Sequence, residues 1–193
     1  MRTGVFERET RETKVKINLD LDSQEPSKIN TGIGFFDHML ELFAFRAGLF
    51  IDVNCQGDIH VDGHHTVEDV GLCLGKALAL ALGDKAGIKR YGVASIPMDE
   101  SLVHCVLDIS GRGFLVFNAE LPSPVVGGFE TELTEEFFRA LAHNAGITLH
   151  INLAYGSNNH HIIEAMFKAL GCALYEAVRV TGQGTPTSTK GVI

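Results

Sequence analysis

The chain has 193 residues, 45% hydrophobic and 21% charged, enough for one globular domain of ordinary size or two small ones. Its formal net charge of −8 excludes general affinity for nucleic acid or anionic lipid, though a local basic pocket can still hold one phosphate. No run approaches the roughly 20 apolar residues of a membrane span, and the mixed charges of Met1 to Arg11 exclude a secretory signal. The four cysteines (Cys55, Cys73, Cys105 and Cys172) form no CxxC pair, which fits reduced thiols in the cytoplasm.

In chain order, Val15, Ile17, Leu19 and Leu21 alternate with polar residues, predicting a half-buried strand over Lys14 to Asp22 and a turn over Ser23 to Lys28. Phe36, Met39, Leu40 and Phe43 share one stripe of a helix over Phe35 to Phe45. A strand over Leu49 to Cys55 and a polar break at Gly57 to Gly63 precede a helix from about His65 to Leu82, stopped by Gly83. Ser101 to Asp108 and Phe114 to Glu120 read as strands joined by the turn Ser110-Gly111-Arg112-Gly113. A helix over Glu132 to Ala142, a strand over Ile147 to Leu153 and a long helix over Ile162 to Val180 complete the pattern. The tail, Gly182 to Ile193, reads as a loop.

Strand and helix alternate twice, and the chain repeats itself. Sliding His64-His65 onto His160-His161 also places Glu68 on Glu164, Gly75 on Gly171, Ala77 on Ala173 and Leu78 on Leu174. With a loop difference of about two residues, Ala44, Ala47 and Gly48 fall on Ala142, Ala145 and Gly146, and Asp37-His38 falls on Glu135-Glu136. A split near residue 90 gives two similar α+β halves, 1–90 and 91–193, the second carrying the tail.

Each half carries His-His-x-x-Glu at the start of a helix: His64, His65 and Glu68, then His160, His161 and Glu164. Positions three and four apart share a helix face, so each glutamate lies near its histidines. Adjacent residues point about 100° apart, so two neighbouring histidines can serve two different metals. Imidazole with carboxylate suits divalent Zn, Fe, Co or Mn and does not choose among them. His38 extends the donor set. Its repeat partner Glu136 and the strand residue His150 are both candidates to complete it, with repeat symmetry favouring Glu136. His60, His104 and His143 have the ordinary reading of structural histidines. Cations recur at turns and in the tail: Arg90, Arg112, Lys168 one turn beyond Glu164, and Lys190 with Ser188 nearby, a set suited to a phosphorylated substrate.

Gly32-Ile33-Gly34-Phe35-Phe36-Asp37-His38-Met39-Leu40, Asp62-Gly63-His64-His65-Thr66-Val67-Glu68-Asp69, Ser110-Gly111-Arg112, His160-His161-Ile162-Ile163-Glu164-Ala165 and Ser188-Thr189-Lys190-Gly191 closely resemble the imidazoleglycerol-phosphate dehydratase family of histidine biosynthesis. The resemblance runs from about Arg8 to the C-terminus. It implies an α+β fold of two duplicated halves, each a four-stranded sheet with helices packed on one face. It also implies a carbon–oxygen lyase that dehydrates imidazole glycerol phosphate to imidazole acetol phosphate, using two Mn²⁺ per active site that bind the imidazolate ring. The implied assembly is a cytoplasmic homo-oligomer, a 24-mer built from trimers, with active sites between subunits. The family's metal ligands fall on His38, His64, His65, Glu68, His160, His161 and Glu164. Its substrate contacts fall on Glu12, Arg90, Arg112, Lys168, Ser188 and Lys190, with Glu12 as acid/base. Glu136 stands where many members carry a further histidine ligand. Leu42 stands where many have Gln, Gly113-Phe114 where Pro-Tyr is usual, and Gly63 where a second Asp is common.

Overall fold

The alternating run at Lys14 is the second strand of a four-stranded sheet in the computed structural model, which describes residues 1–182 with Thr185, Thr187, Ser188 and Gly191. The first half contains β1 (Thr3–Glu9), β2 (Thr13–Asp20), β3 (Lys28–Asn30), α1 (Gly34–Ala47), β4 (Phe50–Gly57) and α2 (His64–Leu82). The second contains β5 (Tyr91–Met98), β6 (Ser101–Asp108), β7 (Phe114–Asn118), the short ribbon β8 (Val125–Val126) and β9 (Phe129–Glu130), α3 (Leu133–Ala145), β10 (Thr148–Tyr155) and α4 (Asn159–Ala177). Ribbon aside, the two halves share one topology. The first sheet has the order β1-β2-β4-β3 and the second β5-β6-β10-β7, each antiparallel except for one parallel pair at an edge, β3 with β4 and β7 with β10.

Two strands lack a periodic signal in the sequence. On β1 and β5 the positions facing the helices include Gly4, Gly92 and Ala94, too small to mark a buried face. Both are edge strands, which is where a sheet tolerates Pro97. The turn Ser110 to Gly113 does not make a hairpin: β10 lies between β6 and β7. The reason is the crossover, since β7, α3 and β10 form a strand–helix–strand unit whose two strands are parallel. β3 falls within and just beyond the stretch expected to be a turn, and at three residues it is too short to show alternation.

On β2 the residues Val15, Ile17 and Leu19 are buried, while Lys14 and Lys16 point outward and pair with Glu9 and Glu7 of β1. The outward face of the first sheet is thus a ladder of cross-strand ion pairs. α1 and α3 stop at equivalent glycines, Gly48 and Gly146, with φ of 61° and 67°; the left-handed turn there lets each backbone N–H return to the last helical carbonyls.

Helices pack across the halves: α1 lies on α4 and α2 on α3, while α4 covers β5 and β6 and α2 covers β1 and β2. Phe36 of α1, Phe137 and Phe138 of α3 and Phe167 of α4 meet at ring-centroid distances of 4.9–6.4 Å, so one hydrophobic core serves both sheets. The helix pairs approach closely because small residues sit at the crossings. A Cβ on Gly171 would lie 2.6 Å from the Phe43 carbonyl oxygen, and one on Gly75 would lie 2.7 Å from that of Leu141. We therefore expect Gly171→Ala to destabilise the protein by about 1–3 kcal/mol through overpacking. Urea titration at matched protein concentration would read this loss, and an unchanged midpoint would show that the crossing relaxes without cost.

Candidate metal centre

His38 lies on the second turn of α1, and the loop before that helix is fixed by the Asp37 carboxylate, which accepts from Thr31 N at 2.8 Å and from the Thr31 hydroxyl. Asn158 caps α4, its side-chain oxygen accepting from His160 N at 2.9 Å, while Asp62 accepts from His64 N at 2.8 Å at the start of α2. Each His-His pair therefore occupies the first turn of its helix, slightly earlier than the sequence pattern indicates for α4.

The crossing of α1 on α4 brings His38, His160 and Glu164 together, with one ligand atom from each lying within 4.8 Å of the others. Glu164 Oε2 stands 3.2 Å from His160 Nε2 and 3.8 Å from His38 Nε2. Atoms that share a divalent ion at about 2.1 Å each are roughly 3–4 Å apart, so the three fit one ion with small side-chain shifts. Phe35 holds the His160 ring edge-on at 5.2 Å. Glu164 is nearly buried, and its second oxygen accepts from Lys168 Nζ, which also sits 3.6 Å from the Met98 sulfur. Burial alone pushes the Glu164 carboxyl up, but the hydrogen bond and charge of Lys168, with His160, bring it below the ordinary carboxylate value.

In the α2–α3 pair the corresponding residues are more open. His64 Nε2 is 3.7 Å from Glu68 Oε2, and Glu68 and Glu136 line one cavity of about 630 Å³ together with Arg139 and His143. Glu136 lies 4.0 Å from the Arg139 side chain. His150 lies on the other side of the second sheet: Leu149 and Ile151 face the helices, and His150 pairs with Val106 and Val116 on the outer face.

His65 and His161 diverge from their neighbours, as adjacent helix positions must. His65 Nδ1 lies 3.1 Å from Asp58, with Nε2 3.8 Å from Glu12. His161 Nδ1 lies 2.7 Å from Glu100, with Nε2 3.7 Å from Asp99. The Asp58 hydrogen bond raises His65, the Glu100 hydrogen bond raises His161, and Glu100 in turn is held far below the usual carboxylate range by His161 and the Asn158 N–H. Asp58 and Glu100 were not singled out from sequence. Lone acids in polar loops give no periodic or motif signal.

The cations are split between two ends of the second sheet. Lys168 touches Met98, at the end of β5 where the His160 cluster lies. Arg90 precedes the opposite end, and β5 between them spans roughly 25 Å at about 3.3 Å per residue. Arg90 adopts a φ of 77°, gives Nε and Nη2 to Asp108 at 2.7 and 3.0 Å, and gives Nη1 to the Thr187 carbonyl at 2.8 Å. Arg90 therefore carries the tail segment next to Ser188. Arg112 is exposed on the turn after β6 at the same end. Lys190 lies outside the described residues.

A duplicated α+β fold whose crossed helices bring histidines and a carboxylate together defines a protein of two matched halves with a candidate metal site between them. The family model for imidazoleglycerol-phosphate dehydratase matches residues 31–174, and the chain belongs to that family. It is 54% identical to the imidazoleglycerol-phosphate dehydratase of Exiguobacterium sp. and 55% identical to that of Streptococcus mutans, over all of this chain and 99% and 100% of theirs. The crystal structure of the Staphylococcus aureus imidazoleglycerol-phosphate dehydratase is 47% identical, with a TM-score of 0.85 over 93% of this chain and 99% of that one. That of the Pyrococcus furiosus protein, in complex with (S)-C348, gives 0.85 at 35% identity over 97% and 100%.

We expect Glu164→Gln and Lys168→Met each to cost about 3 kcal/mol in the metal-free protein, because each leaves a largely buried group without its charged partner. The double variant loses less than the sum, and denaturant titration of the full cycle measures the coupling. Strict additivity would show that the pair does not act as a unit.

Proposed function

We propose that the chain removes water from imidazole glycerol phosphate to give imidazole acetol phosphate, the dehydration step of histidine biosynthesis, with two Mn²⁺ at each active site. The convergence of His38, His160 and Glu164 carries the proposal, because imidazole and carboxylate donors aimed at one point suit a divalent ion. His64, His65, Glu68, Glu136 and His161 complete the ligand set. Mn²⁺ held by these residues would supply Lewis-acid chemistry that lets the substrate's imidazole ring act as a sink for electrons.

The proton to be lost sits on the side-chain carbon one removed from the ring, with no carbonyl beside it. The chain must therefore fix the imidazole, remove that proton and let the hydroxyl on the carbon attached to the ring depart. Glu12 is the acid/base, placed at the hairpin tip with a carboxylate oxygen 3.8 Å from His65 Nε2. Arg90, Arg112, Lys168, Ser188 and Lys190 hold the phosphate, so the carbon chain is fixed relative to the ring.

One chain does not bring these groups together, since the Arg90–Arg112 end and the His160–Lys168 end lie at opposite ends of β5. The active site on this reading forms between subunits, in the family's trimer-built cage.

Three outcomes test the proposal. Chelator-stripped protein should lose turnover of imidazole glycerol phosphate and regain it with added Mn²⁺; metal uptake without product would overturn the dehydratase reading. Glu12→Gln should bind Mn²⁺ and assemble normally yet lose 10²–10⁴-fold in kcat, the usual range for a positioned acid/base. Arg112→Ala should raise KM strongly, and an unchanged KM would remove Arg112 from the phosphate site.

A further inference from the structure

The second histidine of each His-His-x-x-Glu motif gives its Nδ1 to a carboxylate, and the two carboxylates come from non-equivalent places. In the first half the partner is Asp58, from the loop between β4 and α2, whose two oxygens lie 3.2 and 3.1 Å from His65 Nδ1. In the second half it is Glu100, from the hairpin between β5 and β6, whose Oε2 lies 2.7 Å from His161 Nδ1. An ionised carboxylate only accepts, so the shared hydrogen belongs to Nδ1, and in the neutral ring the lone pair is left on Nε2.

The hairpins show why this matters. Thr13 and Ser101 are the buried first residues of β2 and β6, and Glu12 and Glu100 each immediately precede them. The duplication therefore puts a glutamate at the same point in both halves. Glu100 is fully committed: besides His161, it accepts from Asn158 N at 2.8 Å, Ser157 N at 3.2 Å and the Ser101 hydroxyl at 3.0 Å. Glu12 has no such lock among the described residues: its N–H donates to Thr10 Oγ1 and its carbonyl accepts from Asp58 N, both at 3.1 Å, while its carboxylate makes only the 3.8 Å approach to His65 Nε2. Asp58 does for His65 what Glu100 does for His161.

We infer that Asp58 and Glu100 are positioning residues that set His65 and His161 to present Nε2 to a metal ion, and that Asp58, by taking this task in the first half, leaves the Glu12 carboxylate free for the substrate. The inference rests on the dimanganese reading above. It makes the two halves chemically unequal: one glutamate of the duplicated pair is available for proton transfer and the other is locked.

The test is metal affinity rather than turnover. Among the described residues the Asp58 carboxylate bonds only to His65, so Asp58→Ala removes that link and little else. Free Mn²⁺, followed by its solution electron paramagnetic resonance signal, gives the Kd of the full chain, and the melting temperature of the metal-free protein is measured alongside. We expect Asp58→Ala to weaken Mn²⁺ binding roughly 10–100-fold, the usual cost of losing a carboxylate behind a ligating histidine. The metal-free melting temperature should stay at the wild-type value, and Asp58→Glu should recover much of the affinity. Glu100→Gln should weaken Mn²⁺ binding in the same sense. Equal Kd values in wild type and Asp58→Ala would overturn the inference while leaving the dimanganese reading intact. A weakening matched by a fall in the metal-free melting temperature would overturn it too, by showing a structural role. Wild-type protein that takes up no Mn²⁺ would overturn both.

Discussion

The crossing of α1 on α4 is the contact on which the candidate site depends. His38 belongs to the first half, and His160 and Glu164 belong to the second. They meet because Gly171 lets the Phe43 backbone approach to a distance no side chain would permit, and because Phe36, Phe137 and Phe167 pack into one continuous core. Two halves folded side by side around separate cores would leave His38 away from Glu164. Exchange of helix partners converts a repeated sequence into a composite site, and the cost of misplacing ligands falls directly on the core that unites the sheets.

Much of this was legible in the sequence. The repeated His-His-x-x-Glu, the matched Ala47-Gly48 and Ala145-Gly146 helix ends, the alternating run at Lys14 and the strands read at Ser101 and Ile147 each correspond to an element of the structure. What periodicity reveals is a side chain large enough to mark a buried face. β1 and β5 were silent because Gly4, Gly92 and Ala94 take inward positions where helix backbones come close, while Val5 and Val93 point outward and blur the alternation of Phe6 and Ile96. Sequence also could not say which helix faces which. The repeat aligns His38 with Glu136, but alignment carries no information about partners, and only packing places His38 against α4 and Glu136 against α2.

The charge network around the histidines was illegible for a different reason. Asp58 and Glu100 meet their histidines through the fold rather than a shared spacing, 7 residues before His65 in one half and 61 before His161 in the other. Asp69 is similar: it follows Glu68 in the motif but turns inward, where it accepts from Arg8 Nε at 3.0 Å and from the Thr13 hydroxyl. That nearly buried acid fastens the hairpin carrying Glu12 to the helix carrying His65. The first half thus holds its free glutamate through two acids on either side, one at the backbone and one beneath the hairpin.

The second half spends its acids differently, and the consequence reaches the quaternary level. Glu100 is locked onto α4, and Lys168 is drawn to Glu164, so the candidate metal end of this half is internally paired. Arg90 and Arg112, the cations proposed for the phosphate, stand at the far end of the second sheet, where Arg90 holds the tail. A small phosphorylated substrate cannot reach across roughly 25 Å of strand. On the proposed reading, each chain therefore gives its phosphate-binding end to one neighbour and takes the metal-binding end of another. Such head-to-tail exchange leaves unsatisfied sites at both ends of any open chain of subunits, and they vanish only when the assembly closes on itself. Ions held between subunits would then act as joints as well as catalysts, so that loss of metal loosens the assembly and empties the site together.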